Sequence, residues 1–443
     1  MGLRDVREFF IRTAKLAKRP PPVNEARLPV KATTPLLPKP VALTHRPGEV
    51  AHLLSHLPGL VFFDTSGHLP VKHHPPVSII GARPVEILRG RITETGQLEQ
   101  ALERWAQPET RDYGFPVGAA CGGIDYDGQF TFGLYPELLV YHHQSGQWWE
   151  TGSLSSELRS PDTKHGFSLG TWEDSLPEPE FLKAVAAAKD YIAAGDIYQV
   201  NLSRRLRAQC RAPHGLFPLY DKLRTSAPAP SACYLNLDGR EVLSSSPETF
   251  LHFSGREVET RPIKGTRPRF ADPELDSKSA FELRYSEKER AELVMITDLL
   301  RNDLGRVCHF GSVQVTDMLQ LETLQHVHHL VSTVRGTLSP EHSHLSALAS
   351  CFPGGSITGA PKKRATEIIA ELETVPRGLY TGAMGFLGFN QESQFNIAIR
   401  TLIHEHGHLD YHVGAGIVAD SDPVAEFEET EHKARGVRLA LHS

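Results

Sequence analysis

Runs of strand-forming residues that occur in closely spaced pairs constrain the fold of this chain more than any other feature. "CYLNLD" (233–238) is followed by "EVLSSS" (241–246), and "YTGAMGFLGF" (380–389) is followed by "FNIAIRTLIH" (395–404). Short connections join antiparallel strands, whereas parallel strands need a long crossover, usually a helix. Regular alternation of strand and helix is absent from the sequence, so we predict an α+β fold built on antiparallel sheets.

Composition and charge exclude several classes of protein. The chain has 443 residues and a formal net charge of −6, which argues against a nucleic-acid partner. The sequence contains no apolar run of transmembrane length, so we expect no membrane partner. Its five cysteines are odd in number and form no CxxC pair, which is typical of reduced thiols and predicts a cytoplasmic location. A small anionic substrate would require a locally positive site.

The chain divides into three predicted regions. Residues 1–40 form an N-terminal arm, either a short amphipathic helix or loose chain, that continues into a Pro-rich segment. Residues 41–165 carry strand-like runs such as "GLVFFD" and "FTFGLY". After a predicted linker, residues 178–437 form the largest region, which opens with a helix that ends near Gly195.

Two predicted helices carry acidic residues at helical spacing. In "SEKERAELVMITDLLRNDLGRV" (286–307), Ser286 and Glu289 match a capping box, and Glu289 shares a face with Glu292. In the helix expected after Pro423, Glu426, Glu429 and Lys433 share one face. Capping and ordinary solvation would explain each pattern alone. If the two helices face each other, their carboxylates could instead bind one Mg²⁺.

Lys264 stands in "ETRPIKGTRPR" (259–269), at what reads as the end of a strand. Gly265 and Thr266 after it indicate a turn that lets a ligand approach the backbone closely. The lysine is therefore either a solvated side chain on a sheet edge or an amine directed into a pocket. A second feature, "PGGSITGAPKK" (353–363), places a glycine turn before a helix, whose free N–H groups suit a carboxylate.

The histidine-rich stretches are weaker candidates for metal sites. "HEHGH" (404–408) lies between two strand runs and reads as a hairpin turn. In "QHVHHLVSTVRG" (325–336), strand alternation puts His326 and His328 on one face and His329 on the other. The three rings cannot converge on one ion, although His329 alone could face a pocket.

Taken together, these segments resemble the chorismate-utilising enzymes, a family that includes anthranilate synthase component I, isochorismate synthase and aminodeoxychorismate synthase component I. The resemblance covers roughly residues 180–437, and residues 41–165 are similar to the less regular N-terminal part of anthranilate synthase component I. It implies a four-layer αββα arrangement with two large packed antiparallel sheets. The motifs that carry it occur in family order: "GDIYQVNLSRR", "SSSPETF", "RPIKGTRPR", "KERAELVMITDLLRNDLGRV", "VHHLVSTVRG", "PGGSITGAPK", "GLYTGAMGF" and "GAGIVADSDPVAEFEETEHKA".

The resemblance also implies roles for individual residues. Glu292 and Glu429 match magnesium ligands, with Glu289 and Glu426 as their neighbours. Glu248 matches the general acid that protonates the departing 4-hydroxyl of chorismate. The residues that match substrate-binding positions are Gln199, Gly265, Thr266, His329, Thr358, Gly359, Tyr380, Arg400, Gly414, Gly416 and Lys433.

Two positions distinguish the reactions within the family. Members that add water carry a lysine base where this chain has Gln199, and an amide cannot deprotonate water. Anthranilate synthases carry alanine where this chain has Lys264, whereas members that form 4-amino-4-deoxychorismate for p-aminobenzoate and folate carry lysine. The resemblance thus implies Lys264 as a nucleophile, and we expect burial and nearby positive charge to favour its neutral form. Anthranilate synthesis and a non-catalytic chorismate-binding role are the alternatives.

The nitrogen source must come from outside the sequence as given. No Gly-x-Cys-x-Gly nucleophile with a glutaminase triad occurs in it. The resemblance therefore implies free ammonia or a separate glutaminase (amidotransferase) subunit as the partner, with chorismate as substrate and Mg²⁺ as cofactor.

Overall fold

Two large antiparallel sheets confirm the predicted fold class. The computed structural model describes residues 35–65, 76–160, 166–324 and 327–442. Most of the predicted arm, residues 1–34, lies outside these ranges, as does His326.

The described strands are numbered along the chain. The thirteen-stranded first sheet contains β1 (Lys39–Val41), β2 (Val61–Asp64), β3 (Val77–Gly81), β7 (Leu138–His142), β8 (Gln147–Thr151), β9 (Ser168–Leu169), β10 (Glu173–Asp174), β11 (Gln199–Arg211), β12 (Ala232–Leu237), β13 (Arg240–Ser244), β19 (Gly359–Ala360), β22 (Thr401–Glu405) and β23 (His408–Ile417).

The second sheet has ten strands and the same antiparallel pairing. It contains β4 (Glu86–Arg91), β5 (Ala119–Ile124), β6 (Gln129–Tyr135), β14 (Thr249–Ser254), β15 (Glu257–Arg261), β16 (Ile263–Pro268), β17 (Gln314–Thr323), β18 (Val327–Thr337), β20 (Ala383–Gly388) and β21 (Glu392–Ile397). In each sheet a group of early strands is joined to a group of later strands, since β2 pairs with β12 and β5 pairs with β20.

Helices cover the outer faces of both sheets, which produces the four predicted layers. The described helices are α1 (Pro47–Leu53), α2 (Gly96–Trp105), α3 (Glu178–Ala193), α4 (Phe217–Ser226), α5 (Pro273–Arg284), α6 (Glu287–Gly305), α7 (His344–Cys351), α8 (Lys362–Leu372) and α9 (Pro423–His442). Side chains from both sheets, among them Val61, Cys121, Met384 and Ile403, form the core between the sheets. In the described ranges, no helix is long and apolar enough to cross a membrane.

Several local predictions are confirmed. The paired runs 233–238 and 241–246 form the hairpin of β12 and β13. Helix α3 buries Phe181 and Val185, and Gly195 follows its end with a left-handed φ of +81°. "HEHGH" forms the hairpin turn between β22 and β23, as expected from its glycine.

Two local predictions are wrong. Residues 395–404 are not one strand, because β21 ends at Ile397 in the second sheet and β22 begins at Thr401 in the first. The chain changes sheets through Arg400, whose φ is +50°. The predicted linker is also not wholly irregular: β9 and β10 lie within it and pair with β11, which gives their backbone groups hydrogen-bond partners.

A buried ion pair fixes three segments that border the candidate site. The guanidinium of Arg377 donates to the carboxylate of Glu373 at 2.6 and 2.9 Å. It also donates to the backbone oxygens of Asn201 in β11, at 2.6 Å, and of Ile357, at 3.2 Å, and to the hydroxyl of Thr381, at 3.1 Å. Both charged side chains are almost completely buried. The pair therefore sets the relative positions of these segments.

We predict that Arg377→Met lowers the free energy of unfolding by about 3–5 kcal/mol, because it leaves the buried Glu373 charge without a counter-ion, held only by hydrogen bonds from the N–H and hydroxyl of Ser203. Denaturant titration measures the change. The matched control is Arg364→Met, whose pair with Asp196 is 2.7 Å long but about 37% exposed on both sides. That variant should lose much less stability, because solvent screens an exposed ion pair. Equal losses in the two variants would contradict the structural role assigned to Arg377.

Candidate active site

Lys264 lies within a strand, not in a turn at its end. Strand β16 continues through Gly265, and its register with β18 shifts between Lys264 and Thr266, as in a β-bulge. The φ of Gly265 is +70°. A β-carbon at this position would come within 2.5 Å of the Leu283 side chain and 3.2 Å of Glu289. The glycine therefore permits both the bulge and the close approach of α6.

The surroundings of Lys264 are negative, contrary to the expectation of nearby positive charge. Its Nζ atom lies 3.3 Å from Oε2 of Glu292, and the two side chains are only 20% and 12% exposed. The prediction failed because sequence spacing does not show that α6 packs against β16. The lysine thus belongs to an acidic cluster, and it is not a solvated side chain on an edge.

Helix α6 presents two of the predicted acids to this cluster. The Ser286 hydroxyl accepts from the N–H of Glu289, as a cap should. The other half of the predicted capping box is wrong, because the Ser286 N–H donates to the oxygen of Leu283. The Glu289 carboxylate lies close to Gly265 instead. The Glu289 side chain therefore does not complete a capping box, and its carboxylate is available to the site together with that of Glu292.

Helix α9 presents the other two acids. Asp422 caps this helix by accepting from the N–H of Ala425 at 2.9 Å. The Glu426 carboxylate accepts from the Ser421 hydroxyl at 2.7 Å, and Lys288 of α6 lies 3.8 Å from it. Glu429 pairs with Lys433 at 2.7 Å. The contact from Lys288 to Glu426 brings the first turns of α6 and α9 together, as the facing-helix hypothesis required.

The four carboxylates, Glu289, Glu292, Glu426 and Glu429, affect one another. Burial and the charge of Glu292 raise the pKa of Glu289. Burial raises the pKa of Glu426 as well, with a further contribution from Glu429. Burial would also raise the pKa of Glu429, but the ammonium of Lys433 outweighs it and lowers that pKa. Such a cluster favours a cation.

Glu248 has the environment of a carboxylic acid that keeps its proton near neutral pH. It follows β13 and is 6% exposed. Burial raises its pKa to about 7, although a hydrogen bond from Ser356 and the charge of Lys264 act in the opposite direction. Ser356 is a site residue that the sequence analysis missed, even though it lies within the "PGGSITGAPK" motif.

His329 occupies the pocket side of β18, opposite His328. Its Nδ1 atom lies 3.0 Å from the Thr266 hydroxyl and 3.2 Å from the oxygen of Gly265. Burial and the charge of Arg400 lower its pKa to about 4, so the ring is neutral at physiological pH. The structure thus brings Thr266, His329 and Arg400 together beside Lys264.

Glycines of β23 and β19 make room for Gln199, which is buried in β11. A β-carbon at Gly416 would lie 2.5 Å from Nε2 of Gln199 and 3.6 Å from Nζ of Lys264. Gly359 has a φ of +136°, and a β-carbon there would lie 2.1 Å from the backbone oxygen of Gln199. The hydroxyl of the neighbouring Thr358 is fully buried and donates to Gly354 at 3.1 Å. The backbone oxygen of Thr358 accepts from the N–H of Asn201 at 2.9 Å, so this oxygen and the hydroxyl both already have partners.

Tyr380 lies over the remaining glycine of the set. A β-carbon at Gly414 would lie 2.8 Å from the Tyr380 hydroxyl, and the Gly414 oxygen accepts from Lys433 at 2.8 Å. The Tyr380 ring stacks on His412 with a centroid separation of 5.0 Å. Burial raises the pKa of Tyr380 to about 12, so the phenol remains a hydrogen-bond donor. His412 was not foreseen, because stacking across strands leaves no pattern in the sequence.

A separate cavity lies away from this cluster. It has a volume of about 440 Å³ and lies at the outer face of the second sheet, between Leu102, His344 and Phe389. Within the described ranges, it is lined by none of the predicted site residues. Chemistry, and not cavity size, therefore identifies the candidate active site.

The fold and this cluster define a class of protein. The family model of the chorismate binding enzyme matches residues 98–438. The chain belongs to this family of chorismate-utilising enzymes.

Individual relatives fall into two groups by name. The chain is 43% identical to aminodeoxychorismate synthase component 1 of Bacillus subtilis, over 82% of this chain and 89% of that enzyme. It is 50% identical to anthranilate synthase component 1 of Streptomyces coelicolor, but over 61% of this chain and only 53% of that enzyme's length. The crystal structure of anthranilate synthase component I from Streptococcus pneumoniae superposes with a TM-score of 0.72 at 28% identity, covering 83% of this chain and 92% of that one.

The raised pKa of Glu248 predicts a pH dependence of stability. The folded protein keeps a proton on Glu248 up to about pH 7, whereas the unfolded chain loses it near the ordinary value of 4.5. This proton stabilises the fold fully at low pH, and its contribution disappears as the pH rises through 7. Glu248→Gln should therefore lose less stability between pH 5 and 8 than the wild type, by roughly 2–3 kcal/mol. Unfolding curves at several pH values measure the difference.

Glu392 provides the matched control. It is also 6% exposed, and burial raises its pKa to about 7, but it lies in β21 and accepts from Ser254 at 2.8 Å. Glu392→Gln should flatten the stability profile in the same way and leave turnover intact. If the stability of Glu248→Gln changes with pH as that of the wild type does, the assigned protonation state of Glu248 is wrong.

Proposed function

We propose that this chain converts chorismate and ammonia to 4-amino-4-deoxychorismate, in the branch that leads to p-aminobenzoate and folate. The observation that carries the proposal is the position of Lys264: a poorly exposed primary amine beside Glu292, next to Gln199 and within the electrostatic reach of Glu248. The similarity to the B. subtilis enzyme over 89% of its length supports this assignment.

Substrate binding follows from the donors around the cluster. Chorismate is a dianion. Arg400, the Thr266 hydroxyl, the Tyr380 phenol and the backbone N–H groups of Gly359 and Gly416 supply the donors for its two carboxylates and its enolpyruvyl arm. The neutral His329 ring supports Thr266 through the 3.0 Å contact. Lys433, in the middle of α9, donates to the Gly414 oxygen and places an additional positive charge beside Glu429.

The chemistry exchanges a hydroxyl for an amine in two displacements. The Lys264 amine forms a bond to ring carbon 2, the ring double bond shifts, and the bond from carbon 4 to oxygen breaks. Glu248 gives its proton to the departing hydroxyl, which leaves as water. Ammonia then forms a bond to carbon 4, the double bond shifts back, and the Lys264 amine leaves carbon 2, while a proton released from the added nitrogen returns to Glu248. The sum is chorismate plus ammonia giving 4-amino-4-deoxychorismate plus water.

Gln199 excludes the competing addition of water. Its amide Nε2 and Nζ of Lys264 both lie beside Gly416, 2.5 and 3.6 Å from the position that a β-carbon would take. An amide has no basic lone pair that could accept a proton from water at physiological pH, so it holds its position by hydrogen bonding alone.

The acidic cluster fits a hard divalent cation by its donor chemistry. Glu292 and Glu429 would bind Mg²⁺, with Glu289 and Glu426 beside them. In the described part of the chain, no three acidic or histidine ligands are gathered into a ready-made metal cage. That arrangement suits an ion that keeps waters and completes its shell with substrate oxygens. When bound, the cation offsets the repulsion between the substrate carboxylate and these acids.

Ammonia must be supplied to this site. None of the five cysteines stands in a Gly-x-Cys-x-Gly sequence, and all five are buried. We therefore propose that a separate glutaminase subunit delivers ammonia and that free ammonium salts can replace it.

Anthranilate synthesis is the second candidate, because the S. coelicolor relative has the higher identity over the region it shares. It would require loss of pyruvate from the aminated ring, and Lys264 would then have no role as a nucleophile. We place it second for that reason.

We predict that the purified chain with chorismate, Mg²⁺ and an ammonium salt at mildly alkaline pH yields 4-amino-4-deoxychorismate. Mass analysis identifies this product, and fluorescence detects anthranilate. Glutamine should replace ammonium only when a separate glutaminase is added. Formation of anthranilate as the main product would reject the proposal in favour of the second candidate.

We further predict that Lys264 becomes covalently modified. Intact-protein mass after quenching with chorismate and Mg²⁺, but without ammonia, should show an adduct that maps to Lys264. Lys264→Arg should reduce turnover at least roughly a thousandfold, because a guanidinium stays protonated and cannot act as the nucleophile. Lys278→Arg, on the exposed face of α5, is the control. An unmodified protein together with normal turnover by Lys264→Arg would remove Lys264 from the chemistry.

A further inference from the structure

Three lysines face three of the four clustered carboxylates. Nζ of Lys264 lies 3.3 Å from Glu292, Nζ of Lys433 lies 2.7 Å from Glu429, and Nζ of Lys288 lies 3.8 Å from Glu426. Ammonium groups thus already occupy much of the space between α6 and α9 in which a cation is expected.

Lys264 differs from the other two lysines in exposure and reach. Its side chain is 20% exposed, compared with 45% for Lys433 and 56% for Lys288. It comes from the floor of the site, in β16, while the others extend from the helices themselves. Its charge acts on Glu248, Glu289 and Glu429 as well as on its partner Glu292. Lys288 also acts on Glu289, Glu426 and Glu429, but from a side chain that is 56% exposed, so Lys264 is the least exposed counter-ion of the cluster.

A divalent cation bound at Glu292 would compete for the same carboxylate. A strongly bound dication and an ammonium repel each other at short range, and Glu292 is too poorly hydrated for solvent to screen them well. We propose that Lys264 serves as the resident counter-ion of the metal site: its ammonium and the divalent cation bind Glu292 in mutually exclusive states. This inference rests on the metal assignment in the proposed function.

The exclusion has a consequence for the order of events. While Lys264 pairs with Glu292, the side chain is turned toward α6 and the acids remain compensated without a metal. If a cation occupied Glu292, Lys264 would lose this partner and could turn toward Glu248 and the substrate ring. Its ammonium would then give up a proton to solvent before the neutral amine attacks, so the nucleophile would be engaged only in a metal-loaded site.

Binding of Mn²⁺, followed by electron paramagnetic resonance in the absence of chorismate and ammonia, tests the inference. Lys264→Met should bind Mn²⁺ about tenfold more tightly than the wild type, because the competing charge is gone. Lys264→Arg keeps the charge, so its affinity for Mn²⁺ should exceed that of the wild type by no more than about threefold, a change as small as that caused by an exposed charge. Lys278→Met removes one positive charge from an exposed site, where Lys278 is 72% exposed, and controls for net charge.

A second readout guards against misfolding of the variants. Without metal, Lys264→Met should melt at a lower temperature than the wild type, because the cluster has lost its counter-ion. Millimolar Mg²⁺ should raise the melting temperature of this variant more than that of the wild type, since tighter binding stabilises the folded state more.

The outcomes separate this inference from the proposed function. If the wild type binds Mn²⁺ and Lys264→Met binds it no more tightly, the inference is wrong and the metal assignment stands. If neither protein binds Mn²⁺ at millimolar concentrations, the metal assignment fails and the inference fails with it. The identity of the product is measured independently, so neither result decides whether 4-amino-4-deoxychorismate is formed.

Discussion

The guanidinium of Arg377, buried against Glu373, holds the framework on which the candidate site is built. Through backbone oxygens it joins β11, which carries Gln199, to the turn before Thr358, and through the Thr381 hydroxyl it contacts the segment that carries Tyr380. These groups recognise a substrate of fixed shape, so their positions must not vary. The acids of α6 and α9 are held differently, by lysine contacts that can be exchanged. The side of the site held by Arg377 is thus rigid, whereas the acids on the other side are held by ion pairs that can be exchanged.

Glycines shape the pocket as much as the side chains around them. At Gly359 and Gly416 a β-carbon would collide with Gln199, and at Gly414 it would collide with the Tyr380 hydroxyl. Polar side chains from neighbouring strands therefore occupy space that would otherwise be filled by β-carbons. Glycine at these positions lets the neighbouring strands bring Gln199 and Tyr380 close to the backbone of the sheet.

How far the sequence predicts this molecule depends on the range of the interaction involved. The β12–β13 hairpin, helix α3 and the acid spacing on α6 depend on neighbours a few residues apart, and all were predicted. The sheet change at Arg400, the bulge at Gly265 and the negative surroundings of Lys264 depend on contacts between distant segments. Spacing alone could not indicate them. The residue roles came from resemblance to a family, and the structure adds partners such as Ser356 that spacing did not reveal.

The pairing of early strands with late strands has a consequence for how the chain folds. Strand β2 finds its partner β12 some 170 residues later, and β5 waits for β20 more than 250 residues further on. During synthesis, the first half therefore exposes unpaired strand edges until nearly the whole chain has left the ribosome. Loop closure over such distances is slow. Assistance from chaperones that shield strand edges should consequently matter more for the yield of active enzyme than the stability of the finished fold.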